Sequence, residues 1–310
     1  MLSAFCGDGE DAGAIAPASP TATGTAAATA YPLTVTDMLD REVEVAAAPQ
    51  RIVALSPTAV EFVYAVGGTV VGRSSTAMFP EAAQQAADIG SAYQPSIETV
   101  LSLDPDLIVA DSVIHAQPQL RSLLEGLSVP VVFAGADSYD AVLEGLQLIG
   151  AVLAAPDAAD AAVAEIDAAL AEAQAALAGQ EISAVVLIAD RDETLYAAKA
   201  SSYAGDVLAR IGITNPAAEQ PDAGPFPGYT AVAPETLLSF DPQFVLTLTP
   251  APEPAPRLST IIPQIPPFRG LQAVRDGRVI ELDVELFVQA PGPRLAAAFR
   301  TLAALVDDAP

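Results

Sequence analysis

Cysteine, histidine and lysine each occur once in this 310-residue sequence, as Cys6, His115 and Lys199, and tryptophan does not occur at all. Each scarcity excludes something. One cysteine cannot close a disulfide within the chain, and one cysteine with one histidine cannot supply a structural zinc site. A single histidine leaves little choice of general base, and no Gly-x-Ser-x-Gly elbow, phosphate-binding P-loop or Gly-x-Gly-x-x-Gly turn is present. No paired carboxylates stand out for hydrolysis either. Basic residues number 13 against 39 acidic ones, a net charge of −26, which argues against nucleic acid and anionic membrane surfaces as partners. Such acidity suits solubility outside the cell or adaptation to salt, and the near-absence of lysine reads as compositional bias. No apolar run is long enough to span a bilayer.

What is present is a core-forming composition, 52% hydrophobic, over a length suited to two domains. One motif occurs twice. Ser96-Ile97-Glu98-Thr99-Val100-Leu101-Ser102-Leu103-Asp104-Pro105 precedes the apolar run Leu107–Val109, and Ala233-Pro234-Glu235-Thr236-Leu237-Leu238-Ser239-Phe240-Asp241-Pro242 precedes Phe244–Leu246. Each copy reads as a short helix, an Asp-Pro stop and a buried strand. One repetition at such long range predicts two similar lobes rather than a solenoid.

Residues 1–30 are rich in Ala, Thr, Gly and Pro without a periodic apolar face and read as a disordered tether. Residues 31–155 form the first α/β lobe: a hairpin turning near Asp37–Asp40, a buried strand at Arg51–Leu55, a helix capped by Ser56, and strands alternating with helices thereafter. Residues 156–179 contain no proline or glycine between Pro156 and Gly179 and carry Val163, Ile166, Leu170 and Leu177 at helical spacing, which predicts one long connecting helix. Residues 180–310 repeat the α/β plan, with Pro250–Pro267 expected to lack regular structure. The fold class is therefore α/β, two similar lobes with mainly parallel sheets joined by one long helix.

From about Pro49 to Val306 the sequence resembles the cobalamin and iron-siderophore class of substrate-binding proteins that serve bacterial ABC importers. The resemblance rests on Pro49-Gln50-Arg51-Ile52-Val53-Ala54-Leu55-Ser56-Pro57, on Val71-Gly72-Arg73-Ser74-Ser75, and on Ile89-Gly90-Ser91 through Glu98 to Leu107. It continues in Ser202-Tyr203-Ala204-Gly205-Asp206, Ala273-Val274-Arg275-Asp276-Gly277-Arg278-Val279 and Gly292-Pro293-Arg294. It implies two lobes on one stiff helix, a ligand cleft between them and no catalysis or resident cofactor. It also implies an extracytoplasmic location and two partners, a small-molecule ligand and the importer's permease.

Loops at the carboxyl ends of strands line such a cleft. Here they carry Thr58, Thr76, Tyr93, Asp111, His115, Arg191, Tyr203, Tyr229 and Phe287. By family position Thr76, Asp111, Tyr229 and Phe287 match ligand-contacting places, and Tyr93 is adjacent to another. Corrinoid-binding members often place tryptophan at several of these positions, so the missing tryptophan leaves the ligand open among an iron(III)-siderophore, cobalamin and haem. For haem, His115 with Tyr93 or Tyr229 would be the iron ligands. Arg73 and Arg191 are the cations near the cleft that an anionic siderophore would meet. Cys6 resembles the lipid-bearing cysteine of bacterial lipoproteins, which makes a lipid anchor the expected membrane contact. Readings of other classes, an envelope sensor or a carboxylate-dependent enzyme, have less in the sequence to carry them.

The same resemblance makes Glu98 and Glu235 the residues that dock on permease arginines. The alternative is that each acid merely stabilises its helix N-terminus. Replacing both by Ala is expected to leave ligand binding intact and abolish uptake, as read by radiolabelled-ligand transport; lost binding with unaffected uptake would contradict that role.

Overall fold

A computed structural model of the chain describes residues 31–307 except positions 191, 193 and 253. The expectations for residues 1–30, Cys6 and Arg191 lie outside the described residues. The chain opens with the antiparallel pair β1 (Leu33–Thr36) and β2 (Glu42–Val45), with Leu33 opposite Val45. Its period-two pattern buries Val43 and Val45 and leaves Glu42 and Glu44 in solvent.

The first lobe follows as β3 (Ile52–Ala54), α1 (Pro57–Ala65), β4 (Gly72–Arg73), β5 (Ala87–Asp88) and a small hairpin of β6 (Gly90–Ser91) and β7 (Gln94–Pro95). Then come α2 (Ile97–Ser102), β8 (Leu107–Ala110), α3 (Pro118–Glu125), β9 (Val131–Phe133) and α4 (Tyr139–Val152). Its five-stranded sheet runs β5-β4-β3-β8-β9 and is parallel throughout. Both faces of such a sheet are covered, which is why β3 and β8 are unbroken apolar runs.

Helix α5 (Pro156–Ala176) has 21 residues and joins the lobes. Ala159, Ile166, Ala169 and Ala173 form its buried stripe, and it packs against both α4 and the C-terminal helix.

The second lobe holds β10 (Ala184–Ala189), β11 (Leu195–Ala198), α6 (Tyr203–Arg210), β12 (Tyr229–Ala231), α7 (Pro234–Phe240) and β13 (Phe244–Leu248). It ends with α8 (Leu258–Ile261), α9 (Gln272–Arg275), β14 (Val279–Glu281) and α10 (Leu295–Asp307). Sheet order is β12-β11-β10-β13-β14. Strands β10, β13 and β14 are parallel, whereas β11 and β12 are antiparallel to their neighbours. The turn between β10 and β11 is too short for a crossover, so a hairpin is forced. Asp190 closes it by accepting the N–H groups of Asp192 and Thr194, both at 2.9 Å.

The repeated motif is one structure built twice. From Glu98 to Pro105 and from Glu235 to Pro242 burial runs position for position the same. Ser102 and Ser239 each donate at 2.7 Å to the carbonyl three residues earlier, Thr99 and Thr236. Asp104 (φ 48°) and Asp241 (φ 37°) both turn the chain in the left-handed region, which aspartate tolerates better than most side chains. Each following strand is then tied to its neighbour: Asp106 accepts the N–H groups of Gln50 and Arg51, and Gln243 accepts that of Ser183.

The expectation for Pro250–Pro267 needs correction. The segment contains α8 and single helical turns at Ile262–Gln264 and Pro266–Gly270. Its later prolines occupy first-turn positions, where no backbone N–H is required.

The two lobes share one continuous core, which includes Val60 and Phe62 of α1, Leu146 and Ile149 of α4, Ile166 of α5, Val207 of α6 and Phe299 of α10. Two polar clasps cross the seam. Glu61 of α1, buried, takes a bidentate grip from Arg294 just before α10, with contacts of 2.7–3.0 Å. The Arg294 guanidinium also lies 4.6 Å over the Phe79 ring. Farther along, Asp206 of α6 accepts the Tyr139 N–H of α4 at 2.7 Å, and Arg210 reaches Asp140 at 2.6 Å.

Removing one partner of a buried pair strands the other. Arg294→Ala is expected to cost about 3 kcal/mol, and the paired change Glu61→Leu with Arg294→Met much less. Urea denaturation of the three proteins checks both.

Candidate functional site

The hollows at the carboxyl ends of the strands include two of different placing. One, of about 290 Å³, sits between the lobes. Thr58, Thr76, Tyr93 and Asp111 line it from the first lobe, and Val288, Gln289 and Pro291 from the second. The other, of about 790 Å³, opens in the second lobe where β10 and β13 end, walled by Ala189, Asp190, Phe226, Leu248 and Pro250.

Local chemistry explains how the first-lobe residues are placed. After β3, Ser56 caps α1 by accepting the Ala59 N–H at 3.0 Å, and Pro57 fits the first helical position. Thr58 is thereby fixed at the start of α1, buried against the cleft. After β8, Asp111 folds its own loop: Oδ1 accepts from Val113 and Ile114, while Oδ2 accepts the Ser56 hydroxyl at 3.0 Å. Thr76 shares a 3.1 Å hydrogen bond with Ser74. Tyr93, in the β6–β7 turn, is 70% exposed and offers its ring to whatever enters. Arg73 donates to the carbonyls of Ser74 and Ser75 and so braces the loop that carries Thr76.

The structure thus brings Thr58, Thr76, Tyr93 and Asp111 to one cavity, and places four other expected residues elsewhere, one of them Tyr203, which is buried at the start of α6. His115 does not face the cleft. It is fully buried beneath it, with Nδ1 accepting the Asp111 N–H at 2.7 Å and Nε2–H donating to the Ala92 carbonyl at 2.8 Å. Both nitrogens are spent, so the ring has no site for iron. Burial holds its pKa below the ordinary value. Phe287 is 1% exposed and faces the core. It belongs to a π-helical turn, Glu285–Gln289, whose wider winding gives its neighbours Val288 and Gln289 to the cavity instead. Tyr229, on β12, packs against the shared core away from the interlobe cavity. Burial pushes its phenol up to about 12.

Sequence reasoning missed Gln289 and the Glu61–Arg294 clasp. A π turn has no sequence signature, and the partner of Glu61 lies 233 positions away in the chain.

The profile of the periplasmic binding protein family matches residues 52–286. A cobalamin-binding protein of Halobacterium salinarum is 27% identical, with 94% of this chain and 79% of that one covered. The uncharacterized ABC transporter substrate-binding lipoprotein YvrC of Bacillus subtilis is 24% identical over 88% of this chain and 85% of its own. The crystal structure of a periplasmic haem-binding protein from Pseudomonas aeruginosa is 29% identical with a TM-score of 0.70, covering 83% of this chain and 92% of that one.

The histidine gives a testable pH effect. Its folded-state pKa lies below the free value of about 6.5, so the unfolded chain takes up the proton first. Stability from His115 is therefore fully present above about pH 6.5 and falls as pH drops below it towards the folded pKa. His115→Phe is expected to cost roughly 3 kcal/mol by orphaning the Asp111 N–H and the Ala92 carbonyl, and to remove that part of the pH dependence. Urea unfolding of both proteins between pH 5 and 8 reads the difference.

Proposed function

Because this chain belongs to the periplasmic binding protein family, we propose that it is an extracytoplasmic receptor for a cobalamin or ferric-siderophore ligand, which it delivers to an ABC importer permease. The observation that carries this reading is the cavity to which both lobes contribute walls, Thr58, Thr76, Tyr93 and Asp111 on one side and Val288 and Gln289 on the other. A ligand there touches both lobes at once, so its presence can be sensed by a partner that grips both.

The lining favours a cobalamin-type ligand over a polyanionic chelate. Among the described residues it offers hydroxyls, aliphatic groups, the Tyr93 ring, the Gln289 amide and the Asp111 carboxylate, and neither arginine nor lysine. A desolvated polyanion needs cations or many donors, whereas a largely neutral ring system, too large to be enclosed by about 290 Å³ and so partly exposed at the cleft mouth, meets hydroxyls and aliphatic groups there without that cost. The name of the Halobacterium relative agrees with this choice. Haem is the second reading, and the exposed Tyr93 favours it, since a phenolate at the cleft can ligate iron.

No helix among the described residues is long and apolar enough to cross a membrane. A lipid at Cys6 is the membrane anchor of this reading. Glu98 and Glu235, one exposed acid at the same repeat position of each lobe, are the permease contacts of this reading.

Titrating the purified protein with cyanocobalamin, a ferric hydroxamate, a ferric catecholate and haem tests it, with melting temperature and tyrosine fluorescence as readouts. A ligand specific to the folded state must stabilise it. Saturable stabilisation by cyanocobalamin is expected, weakened by Tyr93→Ala. Stabilisation by haem alone, lost in Tyr93→Phe, would transfer the assignment to haem; no response to any of the four would contradict the receptor reading for this ligand class.

A further inference from the structure

The doubled motif exposes more than its two acids. Three residues after each glutamate stands a leucine in solvent, Leu101 at 43% exposure and Leu238 at 36%. Residues three apart on a helix are neighbours on one face, so each lobe presents a carboxylate beside an isobutyl group. The residues just before these leucines, Val100 and Leu237, are completely buried and anchor α2 and α7 to their lobes. The arrangement therefore reflects how each helix is seated, not a loose turn. Neither Glu98 nor Glu235 has a hydrogen bond or ion pair to its side chain among the described residues, so both carboxylates are available to an outside cation. Elsewhere the motif tolerates change: Val100 becomes Leu237 and Leu103 becomes Phe240, while the exposed leucine is the same in both lobes.

We propose that the docking surface consists of two carboxylate–leucine pairs, so that the permease meets each lobe with a cation flanked by an apolar recess that the leucine fills. This rests on the docking role given to Glu98 and Glu235 above. The division of labour follows from range: charge acts across solvent and sets orientation and encounter rate, whereas leucine contributes only once in contact and slows release.

The test measures binding of the purified chain to its cognate permease–ATPase complex in lipid nanodiscs, at low and at high NaCl, for wild type and two double variants. Leu101→Ser with Leu238→Ser is expected to weaken binding about a hundredfold, roughly tenfold for each leucine, at both salt concentrations and with an unchanged melting temperature. Leu101→Met with Leu238→Met should restore most of it. Glu98→Ala with Glu235→Ala should weaken binding mainly at low salt and flatten its salt dependence. Wild-type binding by the serine variant, with the alanine variant impaired, would overturn the leucine inference and leave the docking role standing. Wild-type binding by both would overturn the docking role and the inference with it.

Discussion

The grip of Arg294 on Glu61 is the contact on which the cleft depends. A buried ion pair contributes little net stability compared with well-packed apolar groups, because both ions are desolvated to form it. Its value here is positional. The bidentate geometry admits one arrangement of α1 relative to the start of α10, and these belong to different lobes. The second clasp, through Tyr139, Asp206, Arg210 and Asp140, repeats the constraint between α4 and α6. With α5 packed on helices from both lobes and a core that runs unbroken through the seam, the lobes behave as one body. Such packing predicts that closure on a ligand takes the form of small sliding adjustments rather than wide hinge rotation.

A preformed cleft needs a firm floor, and the polar network beneath it provides one. Ser56, Asp111, His115 and the Ala92 carbonyl link the ends of β3, β8 and the β6–β7 hairpin through hydrogen bonds of 2.7–3.0 Å. Each member is satisfied inside the network, so it holds the loops still while leaving the surface to Thr58, Thr76 and Tyr93. The opposite wall comes from one wide turn, Glu285–Gln289, which seats Phe287 in the core and sends Val288 and Gln289 to the cavity, and from Pro291 just after it. Two different devices, a hydrogen-bonded floor and an anchored turn, thus meet across one gap.

How far the sequence reveals this depends on the range of the interaction. Period-two alternation in β1 and β2, the apolar runs of β3 and β8, the cap at Ser56 and the long α5 are local, and all are legible because each follows from neighbouring residues. The doubled motif is legible too, down to its Asp-Pro stops. Four residues of the cavity follow from the rule that ligands meet the carboxyl ends of strands. His115 and Phe287 were misplaced for one reason: a loop residue's side chain points where tertiary partners take it. The partners here are a backbone carbonyl 23 positions back for His115 and a π turn for Phe287. The reversal of β11 was readable in principle from the shortness of the turn before it. The Glu61–Arg294 clasp was not, because nothing near either residue names the other.

The most direct test of a cleft held open at fixed width is a distance between the lobes in the free protein. Spin labels at Ser102→Cys and Ser239→Cys, in a Cys6→Ser background, place one probe on each copy of the motif, and pulsed electron paramagnetic resonance reads their separation. The account expects one narrow distribution in the free protein that shifts only slightly on saturation with cyanocobalamin. A broad or two-peaked distribution in the free protein that collapses on binding would show that the lobes swing independently, and would contradict it.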